Sequence, residues 1–157
     1  MFNLILKTFH IFAVILFMGN IIIGFFWLHF ALKTGKHDLI SHIMKGIIKA
    51  DRYFTIPGVV LITASGIWSA ISAGYPILGT GWILWSIILF LLSGIAFAVK
   101  VVPLQQKIFK LASGQEITTA QGKEKLRKLA FELDIWGLVA LLTPLAAFVM
   151  MVLKFPQ

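Results

Sequence analysis

The sequence predicts an all-α, polytopic membrane protein built as a bundle of four transmembrane helices. Of the 157 residues, 59% are hydrophobic and 13% are charged, and the mean hydropathy is +0.95. That charged fraction is about half of the roughly 25% that soluble domains carry. Three stretches, 11–28, 53–99 and 135–153, contain almost no charge, and a spanning helix needs about 20 apolar residues. We therefore expect a single integral membrane domain over residues 1–157.

The apolar stretches predict four spans, at about residues 4–31, 53–73, 82–102 and 135–154. Each outer stretch holds one span, and the central stretch holds two, divided at Gly74–Pro76 and Gly79–Gly81. The first span is expected to stay in the membrane, because its apolar core exceeds the roughly 7–15 residues of a signal peptide and no Ala-x-Ala-type site closes it. Cysteine is absent, which excludes disulfides, thiolate catalysis and Cys-ligated metals.

The formal charge of +8 is concentrated on one side of the predicted bundle. Lys7 and Lys154 lie on the other side, and the remaining twelve of the fourteen Lys and Arg residues lie at or between the ends of spans 1 and 2 or of spans 3 and 4. The positive-inside rule then places both long loops in the cytoplasm of a bacterial inner membrane and both termini in the periplasm. We expect anionic lipid, and no nucleic acid, to face this basic surface.

The loops contain amphipathic segments. Residues 37–50 carry an apolar helical face, which predicts an amphipathic interfacial helix or, alternatively, a longer second helix that projects beyond the membrane. Pro103 is expected to end or kink the third span, with a short interfacial helix over 104–112 and an amphipathic helix from Lys123 into the fourth span. The apolar face of 37–50 comprises Leu39, Ile40, Ile43, Met44, Ile47 and Ile48.

The first span contains ionisable residues, which are costly at membrane depth and therefore candidates for function. His10 lies about 10 Å inward of residue 3, on a face where Ala13 and Gly24 leave room for a helix or a flat cofactor. Neutral imidazole is a good axial ligand of haem iron. We therefore predict His10 as a candidate haem b ligand, with Lys7 and Asn20 as further candidate cofactor-binding residues.

The alternative for His10 is a hydrogen bond across helices to Ser or Thr, with Lys7 extending its amine outward. Asn20 is expected to make an interhelical hydrogen bond near mid-membrane. A second haem ligand is not evident in the first span, since His29 lies about 28 Å from His10 along a helix. Met150, Met151, a lysine, water or a histidine from another subunit would fill that position, or it would stay empty.

A second polar group is predicted at the inner membrane boundary. Asp51 and Asp134 continue the apolar faces of amphipathic segments and should point inward, at the depth of Arg52 and Lys100. We interpret these four residues as an ion-pair network that locks the helices, or alternatively as a proton-accessible or anion-binding vestibule. His37 and His42 are five residues apart, which favours a solvated helix face over a metal site.

Several stretches resemble a family of small bacterial integral membrane proteins of unknown function. They are LKTFHIFAVILFMGN, DRYFTIPGVVLITASGIWSAISAGYP and VVPLQQKI. More distantly, the opening helix is similar to those of HemJ-type protoporphyrinogen oxidases and CopD-type membrane proteins, and that resemblance implies haem b at the N-terminal membrane histidine. The first resemblance rests on Asp51, Thr55, Pro57, Thr63, Gly66 and Trp68, and the second on Lys7, His10 and Gly19.

These observations leave three classes of function. The first is a haem-associated or redox-linked inner-membrane protein, partnered by a periplasm-side quinone or electron carrier. The second is a non-catalytic accessory or assembly subunit of a larger membrane complex, or a homo-oligomer. The third is a small ion or solute transporter that uses Asp51, Lys100 and Asp134. Whether the protein is an enzyme stays open, because phosphate-binding loops, nucleophile elbows and zinc-protease motifs are absent from the sequence.

Overall fold

The computed structural model describes the backbone of residues 2–156 and the side chains of residues 4–156. Within that range the chain is helical and contains no strand. The first π-turn, Asp51–Thr55, joins α2 to α3, and the second π-turn, Phe97–Val101, joins α4 to α5. The helices are α1 (Phe2–Thr34), α2 (His37–Ala50), α3 (Ile56–Ser72), α4 (Gly81–Ala96), α5 (Val102–Ser113) and α6 (Ala120–Leu153), with a 3₁₀ turn at Gln115–Thr118.

The helices combine into four long rods, which confirms the predicted four-helix membrane bundle. Each rod is long and apolar enough to cross a membrane: Leu4–Thr34, His37–Ser72, Gly81–Ser113 and Ala120–Leu153. Rods of 31 to 36 residues are roughly 50 Å long, whereas the hydrocarbon core is about 30 Å thick. The amphipathic segments 37–50 and 102–113 are therefore extensions of the second and third rods. They are not separate interfacial helices, because the apolar face of each packs against the other.

The π-turns explain how the second and third rods continue past a proline. Each π-turn begins six residues before a proline, Pro57 or Pro103. Proline lacks an N–H and its ring collides with the carbonyl of the residue four positions earlier. In the wider turns, the N–H of Ile56 donates to the carbonyl of Asp51 and the N–H of Val102 donates to that of Phe97. The local change of pitch thus accommodates the proline without ending the helix.

The two π-turns divide the bundle into two halves. The basic half comprises α2, α5, the end of α1 and the start of α6, and it carries most of the lysines. The terminal half comprises α3, α4, the start of α1 and the end of α6, and it lies beside both chain ends. In the basic half α2 packs against α5, and in the terminal half α1 packs against α3 while α4 packs against α6.

The two halves bury different side chains. The core of the basic half is built around the fully buried Ile40, Met44, Ile108 and Ile117. The terminal half contains a smaller apolar cluster of Ala13, Phe17, Ile21 and Ile62. Large apolar side chains on its outer surface are exposed, as expected for a surface that faces lipid.

Pro144 interrupts the hydrogen bonding of α6 within the terminal half. A residue at this position would ordinarily donate its N–H to the carbonyl of Ala140, but proline has no N–H. The hydroxyl of Ser93 on α4 donates to that carbonyl instead, at 2.6 Å. The hydroxyl of Ser86 likewise donates to the carbonyl of Ala147, at 3.2 Å. These bonds join α4 to α6 through backbone acceptors, as a structure in lipid requires.

Candidate functional site

A buried polar network lies at the boundary between the halves and consists of Asn20, Asp51, Thr55 and Gln105. The carboxylate oxygen Oδ1 of Asp51 accepts from Nδ2 of Asn20 at 2.9 Å and from Oγ1 of Thr55 at 2.7 Å. The other oxygen, Oδ2, accepts from Nε2 of Gln105 at 2.8 Å. Asn20 also donates to Oγ1 of Thr55, at 2.9 Å. We call this group the Asp51 network, and it joins three of the four rods.

The first π-turn places its first and last side chains, Asp51 and Thr55, in this network. Asp51 begins the turn and Thr55 ends it, so the two face the same side. Asp51 is 7% exposed, Thr55 is 1% exposed and Gln105 is 6% exposed. Across the side chains that the structure describes, the only groups bonded to the carboxylate are neutral donors, and no ion pair reaches it.

A cavity of about 40 Å³ lies against the Asp51 network. A buried water needs at least roughly 10–15 Å³ of such space, so the cavity has room for water. Asn20, Asp51 and Gln105 provide its polar side chains, and the rest of its lining is apolar or glycine. That lining comprises Ile21, Gly24, Phe25, Leu28, Met44, Ile47, Phe97, Val101, Leu133, Gly137 and Ala140.

His10 forms a separate polar site in the terminal half. Its Nδ1 lies 3.1 Å from the carbonyl oxygen of Ile62 and 3.2 Å from Oγ of Ser65. The Ser65 hydroxyl donates to the carbonyl of Leu61, so its oxygen is free to accept. Because a carbonyl can only accept, these contacts require the hydrogen to be on Nδ1. The lone pair is then on Nε2, for which the described side chains provide no hydrogen-bond partner.

Because position 66 is glycine, the imidazole of His10 can lie directly against the backbone of α3. A Cβ atom at position 66 would lie 3.0 Å from Cε1 of the ring and 3.3 Å from Nδ1. A side chain at this position would therefore require the ring to shift by a few tenths of an ångström. A hydrogen bond to Ser or Thr was the predicted alternative to haem ligation. The structure shows such a bond at Nδ1, while Nε2 has no partner among the described side chains.

The three predicted cofactor-binding residues do not come together. Lys7 is exposed on α1. Asn20 lies ten residues, or about 15 Å, beyond His10 along the same helix and belongs to the Asp51 network. Its bonds to the second rod are the interhelical hydrogen bonds that its position in the first span predicted.

The predicted inner cluster is also distributed over several sites. Asp51 belongs to the Asp51 network, Asp134 pairs with Nε2 of His29 at 3.3 Å, and Lys100 lies 5.2 Å from the ring centre of Trp136. Arg52 is exposed. The His29 ring also donates from Nδ1 to the carbonyl of Phe25, at 3.0 Å, and Oδ1 of Asp134 is buried without a partner among the described atoms.

His42 is exposed on α2, whereas His37 is half-buried and its Nδ1 is buried without a partner among the described atoms. Across residues 4–156, no group of three or more His, Asp or Glu side chains is close enough to hold a metal ion. Neither histidine therefore belongs to such a metal-binding group.

Thr55 and Gln105 are the network members that sequence reasoning did not select. Thr55 lies four residues after Asp51, a spacing that puts both on one helical face. Gln105 shares a face with Ile108 and Ala112, at intervals of three and seven residues, and both of those are buried. A polar residue in register with a buried face was the available signal.

Four apolar rods around a buried polar network define an integral membrane protein with four membrane-spanning helices. The chain belongs to the family described as "Predicted integral membrane protein (DUF2269)", whose model matches residues 4–155. No curated protein and no solved structure matches the chain. The family is one of unknown function, and the distant resemblance to HemJ-type and CopD-type proteins stays a prediction.

Proposed function

We propose that the protein is a haem-associated, redox-linked membrane protein in which Nε2 of His10 ligates the iron of haem b. The observation that carries this proposal is the bond from Nδ1 of His10 to the carbonyl of Ile62. Metal-ligating histidines almost always donate their other ring N–H to a carboxylate, a backbone carbonyl or water, which fixes the tautomer and the ring orientation. The contacts of His10 have this form.

The residues around His10 fit such a role chemically. Ile62 and Ser65 orient the ring, and Gly66 allows it to lie against α3. Met150 or Met151, or a histidine from another subunit, would complete the coordination. When bound, haem supplies one-electron transfer, and the protein's part is to hold and tune it. A quinone or electron carrier is the partner that this chemistry needs.

An absorbance spectrum of the protein, purified in detergent after expression with haem supplementation, tests the proposal. We expect a Soret band in the wild type and in the matched control His29→Ala, whose imidazole lies in the other half. His10→Ala should lose the band while keeping the helical circular dichroism of the wild type. A folded wild-type protein that stays colourless after haem titration, or an unchanged spectrum in His10→Ala, would contradict the proposal.

We also propose that the protein lies in the bacterial inner membrane with the basic half in the cytoplasm and both termini in the periplasm. Twelve of the fourteen Lys and Arg residues support this orientation. Because the chain has no cysteine, Ser113→Cys and Leu78→Cys each introduce a single thiol, at opposite ends. A membrane-impermeant maleimide added to cells with a permeabilised outer membrane should label Leu78→Cys. Labelling of Ser113→Cys under the same conditions would refute the orientation.

A further inference from the structure

The carboxyl group of Asp51 is buried among neutral groups at the boundary between the two halves. Asn20, Thr55 and Gln105 donate three hydrogen bonds to it, and among the described residues no cation lies within ion-pair distance. An ionised side chain within a bilayer is costly unless its charge is compensated, and such residues usually mark ion or proton pathways. When Asp51 is ionised, no cation among the described side chains compensates its negative charge.

Every element packed around the cavity contributes neutral side chains. The first and fourth rods supply apolar groups and Asn20, α2 supplies Met44 and Ile47, and α5 supplies Gln105. Of the other charged groups that the structure describes on these elements, none lines the cavity: the lysines of α2 and α5, together with Arg52 and Lys100, are exposed, and His29 and Asp134 pair with each other. Within the described part of the chain, Asp51 is thus the only titratable side chain that lines the cavity.

We propose that Asp51 is a reversible proton-binding site within the bundle. The Gln105 amide changes its orientation when the proton binds. A metal ion such as Mg²⁺ or Ca²⁺ requires about six or more oxygen ligands, whereas this cavity is about 40 Å³ and largely apolar. One proton neutralises the carboxylate and needs no further ligand. This proposal does not rest on haem binding at His10.

The hydrogen-bond inventory gives the binding step. A proton taken from water forms an O–H bond at Oδ2 of Asp51, and the carboxylate becomes a neutral acid. That O–H must donate, so the Gln105 amide turns by half a rotation and presents Oε1 in place of its NH₂ group. Asn20 and Thr55 keep donating to Oδ1. Release of the proton to water reverses both changes.

The proposed rotation takes place next to the second π-turn of the third rod. Gln105 is the second residue after Pro103 and lies in the first turn of α5, directly after the second π-turn. Asp51 begins the first π-turn. The proposed proton is therefore bound between two π-turns, a type of local geometry that occurs frequently at functional sites.

Infrared difference spectroscopy on the protein in lipid bilayers, perfused with buffers of decreasing pH, tests the proposal. The wild type and the control Asp134→Asn should gain a carbonyl band from a buried protonated carboxyl, and the band should shift when water is replaced by deuterium oxide. Asp51→Asn should lack the intensity of one such group. An unchanged set of bands in Asp51→Asn, at every pH at which the protein stays folded, would overturn the proposal.

Two further variants keep the test decisive if Asp51→Asn does not fold. Asp51→Glu retains a carboxyl group, and the assigned band should move in frequency. Gln105→Leu removes the partner of Oδ2, and the same band should move because its hydrogen bond is lost. If the band had the same frequency in the wild type, in Asp51→Glu and in Gln105→Leu, the assignment to Asp51 would be overturned. Recording the spectra in haem-free His10→Ala protein separates this result from the haem proposal, since the band should persist there.

Discussion

The basic half and the terminal half of this bundle are held together in different ways. The fully buried large side chains of the basic half are apolar: Ile40, Met44, Ile108 and Ile117. In the terminal half, the largest side chains buried to the same degree are the two serines, Ser86 and Ser93. Both serines donate to backbone carbonyls of α6.

The difference follows from the medium around each half. Rods of roughly 50 Å extend well beyond a hydrocarbon core of about 30 Å, so apolar side chains in the basic half are driven together by exclusion from water. In the terminal half, lipid tails are as apolar as leucine, and helix association depends on close packing and hydrogen bonds. Polar side chains in the terminal half therefore act mainly by forming hydrogen bonds between helices.

This contrast separates the Asp51 network from the other polar groups. Ser86, Ser93 and His10 are each bonded to a backbone carbonyl of a neighbouring helix. The partners of Asp51 are side chains, each of which can rotate. A group bonded to rotatable partners can change its hydrogen bonding without moving a helix, and this is the property that a proton site needs.

The largest effect is expected from Ile108→Ala, which removes a fully buried side chain from the basic half. Truncation of a buried isoleucine costs about 2–5 kcal/mol of unfolding free energy, because apolar contacts are lost and a cavity remains. The matched variant Ile95→Ala removes a side chain that is 60% exposed in the terminal half, where lipid replaces the lost contacts. Chemical denaturation in detergent micelles, followed by circular dichroism, measures both.

The comparison between the halves would fail if Ile95→Ala destabilised the protein as much as Ile108→Ala. That result would mean that the exposed face of α4 is covered by protein in the native assembly. If both variants lost the same small amount of unfolding free energy, the basic half would not be stabilised by a core of apolar side chains excluded from water.

The sequence predicted the architecture well, but it offered a continuous second rod only as an alternative and did not predict that the third span continues into α5. Four spans, their approximate limits and their inward-facing residues follow from apolar runs and helical periodicity. Pro103 was expected to end or kink the third span, because proline removes an N–H and collides with the preceding turn. A π-turn relieves both problems at one site, and its formation depends on tertiary packing around Asp51 and Phe97 that no local pattern records.

The sequence identified several residues of the candidate sites but did not identify the partners of Asp51. Residue depth and helical face identified His10, Asn20 and Asp51 as inward-facing. Pairing across helices depends on how the rods rotate against one another, and charge alone suggested the wrong partners for Asp51, since Arg52 and Lys100 have side chains long enough to reach water instead. The neutral residues Thr55 and Gln105 are the partners, and neutral residues give a weak signal in a sequence.

Ser93→Ala is expected to have an intermediate effect, a loss of about 1 kcal/mol. Pro144 leaves the carbonyl of Ala140 without its helical donor, and the hydroxyl of Ser93 is the replacement. Pro144→Ala restores a backbone N–H at that position. The loss caused by Ser93→Ala should therefore be smaller in the Pro144→Ala background than in the wild type, as a double-mutant cycle of unfolding free energies would show.

Ser86→Ala is the matched control for this cycle. The carbonyl of Ala147 accepts from Ser86 but keeps its own helical donor, the N–H of Met151. The effect of Ser86→Ala should thus be smaller and independent of position 144. Strictly additive effects of Ser93→Ala and Pro144→Ala would refute the role of Ser93 as a replacement donor.

The smallest effect is expected from Lys125→Ala, in the basic half. Lys125 pairs with Glu116 at 3.0 Å, but the two side chains are 55% and 57% exposed. Exposed ion pairs contribute about 0–1 kcal/mol and are screened by salt, so we expect a change below about 0.5 kcal/mol that vanishes near 1 M salt. If Lys125→Ala were instead as damaging as Ile108→Ala, the charged surface would stabilise the basic half as much as its core does, and exclusion of apolar side chains from water would not explain how the halves differ.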